Sequence, residues 1–418
     1  MKILSIMHNR SIFYLTSVVI GFLVFLSRKQ NALTSPYIYA EDGVTFFDEY
    51  FNSKSSIYEP TQSAYYTIHR ILFAIIHPLP FTVVPYAYFL TACFVVVAGM
   101  SVVLQKRFSI IFLNQRLQLV AFFMLLILPG SWEVHGSITN IAWWLVIPAT
   151  LILLTEVPKT RLGRVTELLF LVLVGLTGFA SVYMLPFASL YLIIRKFNRY
   201  NLYRLICIFF TALIQIKALA DSERSPANDA SFETYITAFL KKVPGIILIG
   251  ENNLLSIWPP EPRRYLWIVM IIFTLSIFYI AWNSKNKMSI GLLSVGTISV
   301  LLSTYAEFYL QSIYIPFAWA DRYFHPAVGF FLITMVIGLT SKSQHVRIIS
   351  SICLMLSIYG VASDYSIRPF VPLDKIQLQE FSNCLQYMTD GCELSIAPSG
   401  FKLVIINGKL IGDYFPPS

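Results

Sequence analysis

The chain has 418 residues, 56% of them hydrophobic and only 13% charged, with a net charge of +9 and a mean hydropathy of +0.66. A soluble protein carries about a quarter charged residues, so this composition excludes a soluble globular class. Unbroken apolar runs such as 117–129 and 266–282 lack the alternation of barrel strands, and basic residues scattered in short clusters between such runs do not make a nucleic-acid surface.

The expected fold class is an all-α polytopic membrane protein. A spanning helix needs about 20 apolar residues. Charge clusters and Gly/Pro breaks divide the chain into candidate spans at 11–27, 82–104, 109–129, 141–155, 165–179, 181–194, 203–219, 265–283, 288–306, 324–340 and 346–362, about 11 transmembrane helices. The first run, 12–26, is followed by Arg28-Lys29-Gln30 instead of a small-residue cleavage site. It is therefore expected to stay as a signal anchor.

Basic residues alternate in position. Lys2 and Arg10, Lys106 and Arg107, Lys159, Arg161 and Arg164 fall on one side, with Arg195, Lys196, Arg199 and Arg204. Lys285, Lys287, Lys342 and Arg347 join them, whereas the loops near 130–140 and 179–183 carry no Lys or Arg. The asymmetry implies a cytoplasmic N-terminus and an outer C-terminus. Arg28-Lys29 runs against it, and Arg116, Gln118, Gln215 and Lys217 are polar within expected spans.

Two units result. A transmembrane domain covers 1–362, with outer loops at 28–81 and 220–264, the latter ending in Trp258-Pro-Pro-Glu-Pro. An outer C-terminal tail domain covers 363–418, with an extended or hairpin element near 395–406 that makes it a small α/β or β unit. Within the first loop, Val44, Phe47 and Phe51 share one face of an expected surface-lying helix. A second helix, 64–77, is broken by Pro78 and Pro80. Cys93, Cys207 and Cys353 sit in apolar segments and read as buried small hydrophobes. Cys384 and Cys392 lie in the tail, where an oxidising compartment makes a disulfide the expectation.

The stretch Tyr37-Ile-Tyr-Ala-Glu41-Asp42-Gly43-Val-Thr-Phe-Phe-Asp48-Glu49 concentrates four of the chain's 22 acidic residues within nine positions. A carboxylate beside the membrane is a usable base, or a metal ligand, because desolvation or a nearby cation retunes its proton affinity. For Asp42 the alternative is a helix cap over Gly43. Asp48 and Glu49, two helical turns on, read as solvated surface charge. A second constellation is Asp321-Arg322-Tyr323-Phe324-His325, where an Arg fork flanked by Tyr and His suits a phosphate. Its structural counterpart is an interfacial Asp–Arg pair in an aromatic belt. The third is Trp132-Glu133-Val-His135-Gly-Ser-Ile-Thr-Asn140-Ile-Ala-Trp143-Trp144, a polar hairpin whose Asn, His and Trp suit a sugar; the two tryptophans equally suit an interfacial anchor. His69-Arg70 and His77 lie in the first outer loop. No zinc spacing, nucleophile elbow, Walker loop or dinucleotide fingerprint is present.

Five pieces carry a resemblance: Ala40-Glu41-Asp42-Gly43, Thr139-Asn140-Ile-Ala-Trp143-Trp144, Gly178-Phe-Ala-Ser, Asp321-Arg322-Tyr323-Phe324, and Ala397-Pro-Ser-Gly-Phe in a small C-terminal outer domain. Together the chain resembles polytopic glycosyltransferases of the GT-C class, and within them the serotype-converting O-antigen glucosyltransferases of enteric bacteria and their phages. The resemblance implies a multi-pass protein of the bacterial inner membrane. It would move a sugar, glucose in that family, from undecaprenyl phosphate to a lipid-linked O-antigen polysaccharide at the periplasmic face, modifying lipopolysaccharide. Asp42 would be the base and Glu41 its partner, or both would be ligands if a divalent cation (Mg or Mn) is used. Arg322, with Tyr323 and His325, would take the carrier phosphate. Asn140, Trp143, His135, Glu133, His69 and Arg70 would be further substrate contacts. Membrane lipids, a flippase and a carrier-charging glucosyltransferase would be its partners. The alternatives are a flippase or transporter of lipid-linked sugars, and an O-antigen polymerase or ligase, for which Arg263-Arg264 is a weak sign.

Overall fold

A computed structural model describes residues 10–52, 58–61, 63–194, 198–222, 232–257, 264–284, 288–305, 321–367, 370, 373–398 and 400–414. Lys2, Arg195, Lys196, Trp258-Pro-Pro-Glu-Pro, Arg263, Lys285 and Lys287 lie outside the described residues. The molecule is mostly helical. In chain order its main helices are α1 (Arg10–Ser27), α2 (Thr67–Ile76), α3 (Val84–Met100), α4 (Gln115–Leu126), α5 (Ile141–Leu153), α6 (Arg161–Gly175) and α7 (Ala180–Ile194). They continue with α8 (Arg199–Ala220), α9 (Phe232–Leu240), α10 (Arg264–Asn283), α11 (Met288–Tyr305), α12 (His325–Gly338), α13 (Gln344–Ser363) and α14 (Lys375–Tyr387).

Each expected span contains a helix, but fewer than the expected eleven or so are long enough to cross a membrane. Among the described residues five helices are long and apolar enough to cross a membrane: Arg10–Ser27, Val84–Leu104, Arg199–Ala220, Tyr265–Asn283 and Gln344–Ser363. The expected span 109–129 is broken instead, with Lys106–Phe112 and Gln115–Leu126 meeting at 87°; counted as one, the pair makes a sixth. The break has a local cause. Leu113 takes a positive φ of 59°, and the Asn114 side chain caps α4 by accepting from the Leu117 N–H. It also accounts for Arg116, which is exposed in the first turn of α4 rather than buried in mid-span.

Helix α12 is apolar all round because it is the centre of the bundle. All fourteen of its residues are buried, packed against α4, α5, α10, α11 and α13. Lipid tails are as apolar as Leu, so close packing, not exclusion from water, must hold such helices together. Small residues permit it: a Cβ on Gly329 would meet Ile147 at 2.6 Å, and one on Gly296 would meet the Ala327 backbone at 3.1 Å. The outer helices instead carry exposed Leu15, Phe210, Leu275 and Ile358. This outward apolar belt is what a membrane-embedded protein presents to lipid.

The polar residues that looked out of place tie the helix ends. Arg28 is fully buried and donates to the carbonyls of Leu126 and Leu128 at the end of α4 and of Asp364 and Tyr365 after α13. Gln118 donates to the Val103 and Gln105 carbonyls. Gln215 on α8 accepts from the Tyr65 N–H at 2.8 Å and donates to the Tyr65 and Gly175 carbonyls. Each satisfies orphan backbone groups at a helix end or loop, where an unpaired amide is costly.

The C-terminal tail forms α14 and a three-stranded antiparallel sheet of β1 (Glu393–Ile396), β2 (Phe401–Ile406) and β3 (Lys409–Tyr414), in that order. Phe401, Leu403 and Ile405 face inward on β2 with the period of two expected of a half-buried strand. Ile406 pairs with Lys409 across Asn407-Gly408, both at positive φ (52° and 66°), the geometry a two-residue hairpin turn demands. Cys384 and Cys392 are bonded, linking α14 to the start of β1.

The segment 28–81, expected as the first outer loop, differs from expectation in one respect. Asp42–Phe47 is a π-helical turn running into the short helix Asp48–Phe51, and it does not lie on the surface. Phe46 and Phe47 are buried, Phe47 against Phe81, and the turn packs beneath β2 and β3. The second helix is α2, which ends at Ile76, ahead of Pro78.

Candidate functional site

The three singled-out constellations meet at one end of the bundle. Between them lies a cavity of about 260 Å³, lined by Glu41, Tyr66, Thr139, Asn140, Trp143, Thr177, Gly178, Phe179, Tyr183, Arg322 and Tyr323, with Val146, Val182, Leu219 and Leu302 on its apolar side. Most of its wall is apolar or aromatic, with the charged groups gathered at one end.

That charged end is built around Arg322. Its guanidinium Nη1 lies 3.0 Å from Glu41 Oε1 and 3.5 Å from Glu133 Oε1, and its backbone N–H donates to Glu133 Oε2 at 2.9 Å. Tyr39 donates its hydroxyl to Glu133 Oε1 at 3.3 Å. The 321–324 turn that carries Arg322 is fixed in its turn by Asp321, whose carboxylate is ion-paired with Lys242 and accepts from the Trp132 indole at 2.8 Å. Burial pushes the Glu133 carboxyl well above the usual range, with Arg322 pulling it back.

Glu41 and Asp42, adjacent in sequence, point to different tasks. Glu41 lines the cavity, and its second oxygen, Oε2, is buried with no protein partner. Asp42 is buried and does not line the cavity. Its carboxylate accepts from the Thr139 N–H at 2.7 Å, the Thr139 hydroxyl and the Ile138 N–H at 3.3 Å. Of the two readings of Asp42, the cap over Gly43 is not formed: Asp42 holds the 133–140 hairpin instead of its own turn. Burial raises its proton affinity to about 7, against the lowering effect of the Thr139 hydrogen bonds. A carboxyl raised in this way is protonated in the folded chain while the unfolded chain has already released its proton. Its contribution to stability thus falls as pH rises from about 4 to about 7 and is constant above. Asp42→Asn is expected to flatten the dependence of the unfolding temperature on pH across that window, measured in detergent micelles. An unchanged slope would assign the titration to another group.

The hairpin presents Asn140 in one orientation. Its amide nitrogen donates to the Glu133 carbonyl at 3.1 Å and the Ser137 hydroxyl at 3.4 Å, so the carbonyl oxygen, buried and without a protein partner, is the group left for a ligand. Trp143 lies between Tyr323 (ring centroids 5.2 Å apart, edge-on) and Tyr183 (6.3 Å, stacked).

Several expected contacts do not reach the cavity. Glu133 acts on Arg322 from behind. His135 packs against Phe25 and His325 against Trp144, both buried inside the bundle. His69 lies on the Phe46 ring, and Arg70 is committed to Glu49 (2.9 Å) and the Thr61 hydroxyl. Glu49, expected to be solvated, is thus an ion-pair partner, and Asp48 accepts from Asn52. Glu41 and Asp42 do not fit a divalent cation, because one is paired with a guanidinium and the other is filled by three hydrogen bonds. Among the described residues no three His, Cys, Asp or Glu groups converge on a common point.

Lining residues that were not among the expected contacts include Tyr66, Thr177 and Tyr183, and Phe179, which entered only within Gly178-Phe-Ala-Ser. Two backbone pairings bring the first two in: Gly178 N–H to the Tyr65 carbonyl at 2.8 Å and Thr67 N–H to the Leu176 carbonyl at 3.0 Å. Gly178 takes a φ of +65°, a turn geometry that favours glycine, and this was the one local signal for that wall. No protein-family model matches the chain, and no curated protein sequence matches it.

Proposed function

We propose that the chain is a glycosyltransferase that moves a sugar from a polyprenyl-phosphate carrier to a hydroxyl of a lipid-linked glycan, working at the periplasmic face of the bacterial inner membrane. The observation that carries this reading is a carboxylate with one free oxygen, Glu41, held 3.0 Å from Arg322 at the charged end of an aromatic cavity. Such a set has an acid–base group, a cation for a phosphate and flat apolar faces for a sugar ring.

In the proposed step the acceptor hydroxyl oxygen attacks the anomeric carbon while the bond from that carbon to the carrier phosphate oxygen breaks. The hydroxyl proton passes to Glu41, and the leaving phosphate keeps the bonding electron pair, its charge balanced by Arg322. Phosphate is a competent leaving group, so the second carboxyl that protonates the leaving oxygen in glycoside hydrolysis is not needed. Asn140 would accept from a sugar hydroxyl, and Trp143 and Tyr323 would stack on the ring. Val182, Leu219 and Leu302 would flank the start of the carrier's lipid chain. Asp42 is then a positioning residue, acting through Thr139 beside the cavity.

A transporter of lipid-linked sugars would call for polar groups along a path through the bundle. Gln118 and Gln215, which suggested one, are bonded to backbone groups. The test uses the purified full chain in lipid nanodiscs with polyprenyl-phosphate [14C]glucose and lipid-linked polysaccharide. Label should appear on the polysaccharide. Movement of intact labelled donor across proteoliposomes without transfer would replace this reading with transport.

A further inference from the structure

The C-terminal tail contributes no described residue to the cavity wall, yet it grips the stretch that carries Glu41 from both sides. Ala397, at the end of β1, accepts from the Ala40 N–H at 2.5 Å and donates to the Ile38 carbonyl at 2.9 Å, a parallel bridge that ends one residue before Glu41. On the far side of Glu41 two glycines allow direct contact. A Cβ on Gly43 would meet Ile396 at 2.5 Å, and a Cβ on Gly412 of β3 would run into the Val44 backbone. Asn52, at the end of the same turn, donates to the Leu410 carbonyl at 2.6 Å. Upstream, the Leu373 N–H donates to the Pro36 carbonyl at 2.8 Å.

These contacts amount to a clamp. The stretch from 36 to 52 is held at five points by residues 373–412, while the Glu41 side chain is paired with Arg322. Backbone hydrogen bonds on one side and glycine contacts on the other leave little freedom for the residue between them. We infer that the C-terminal sheet is the positioning element for Glu41, with Gly412 and Ile396 as positioning residues that set the carboxylate against the cavity. The inference rests on the reading of Glu41 as the base. It predicts that loosening the sheet lowers turnover while donor binding, which depends on Arg322 and the helical walls, persists.

The experiment compares Gly412→Val, which forces β3 off Val44, Ile396→Ala, which only trims the contact on Gly43, and Lys409→Ala on the exposed hairpin. Each is assayed as the full chain for kcat and for KM toward the polyprenyl-phosphate donor. Resistance of the tail to limited proteolysis, with Cys384 and Cys392 still bonded, reports that the tail is still folded. Expected are a kcat at least tenfold lower for Gly412→Val and about threefold lower for Ile396→Ala. Donor KM should stay within about threefold and the disulfide intact, with Lys409→Ala unchanged. Should Gly412→Val fail to accumulate, Ile396→Ala decides alone. Turnover within 1.5-fold of wild type in the folded variants overturns the positioning role, as does a change confined to KM, and either result leaves the glycosyltransferase reading standing. A wild-type chain that transfers no sugar overturns both.

Discussion

Replacing Glu41 by Gln is expected to reduce sugar transfer by about 10³-fold, within the range that a positioned general base contributes, with little change in donor KM. Gln keeps the shape of the side chain and still offers Arg322 an acceptor at Oε1, so the 3.0 Å contact survives as a neutral hydrogen bond. What is lost is the ability of Oε2, buried and unpartnered, to take a proton. Asp42→Asn is the matched control one residue away. It retains a carbonyl for Thr139, leaves the cavity wall untouched, and is expected to lower kcat by less than tenfold. The resemblance implied the opposite order, with Asp42 as base and Glu41 as its partner. Steady-state transfer kinetics on the two variants therefore separate the readings: more than a tenth of wild-type turnover in Glu41→Gln would remove Glu41 from the chemistry.

The difference between the surroundings of the two carboxyls is legible only in three dimensions. The two residues are neighbouring carboxylates, and nothing local tells which one lines the cavity. Asp42 is drawn to the 133–140 hairpin because the Ile138 and Thr139 amides need acceptors, a demand set by a segment nearly a hundred residues away. Long apolar runs, by contrast, announce themselves, since each needs only its own composition; helices form in every segment where they were expected. The break after Phe112 was missed because hydropathy counts the apolar residues of a bend with the helix. Arg28 was flagged as a violation of charge asymmetry, and its use on four carbonyls of two other segments could not be inferred from that. Glu41, Asn140, Trp143, Arg322 and Tyr323 were found because rare polar or aromatic types cluster at segment ends. Tyr66 and Tyr183 were missed because they sit in stretches already rich in aromatics.

Arg322→Ala should cost about 10²-fold in kcat/KM for the polyprenyl-phosphate donor, roughly 3 kcal/mol of transition-state stabilisation, carried largely by KM. The guanidinium is the cation nearest Glu41, and Glu41 and Glu133 hold it from two directions. Without it, Glu41 would face the donor's phosphodiester anion with no counter-charge. Arg322→Lys is expected to recover only part of the loss. A single ammonium offers no planar fork with which to hold the carboxylates and a phosphate together. Glu133→Gln isolates the supporting contact: Gln keeps an acceptor for the Arg322 N–H, so the turn persists and the effect should remain below tenfold. The discriminating measurement is competition by two ligands, a polyprenyl phosphate and an alkyl glycoside lacking phosphate. If Arg322 binds the carrier phosphate, Arg322→Ala weakens the first and leaves the second nearly unchanged. An equal loss for both would make Arg322 a structural tie between Glu41 and Glu133, and the phosphate would have to be held elsewhere along the cavity.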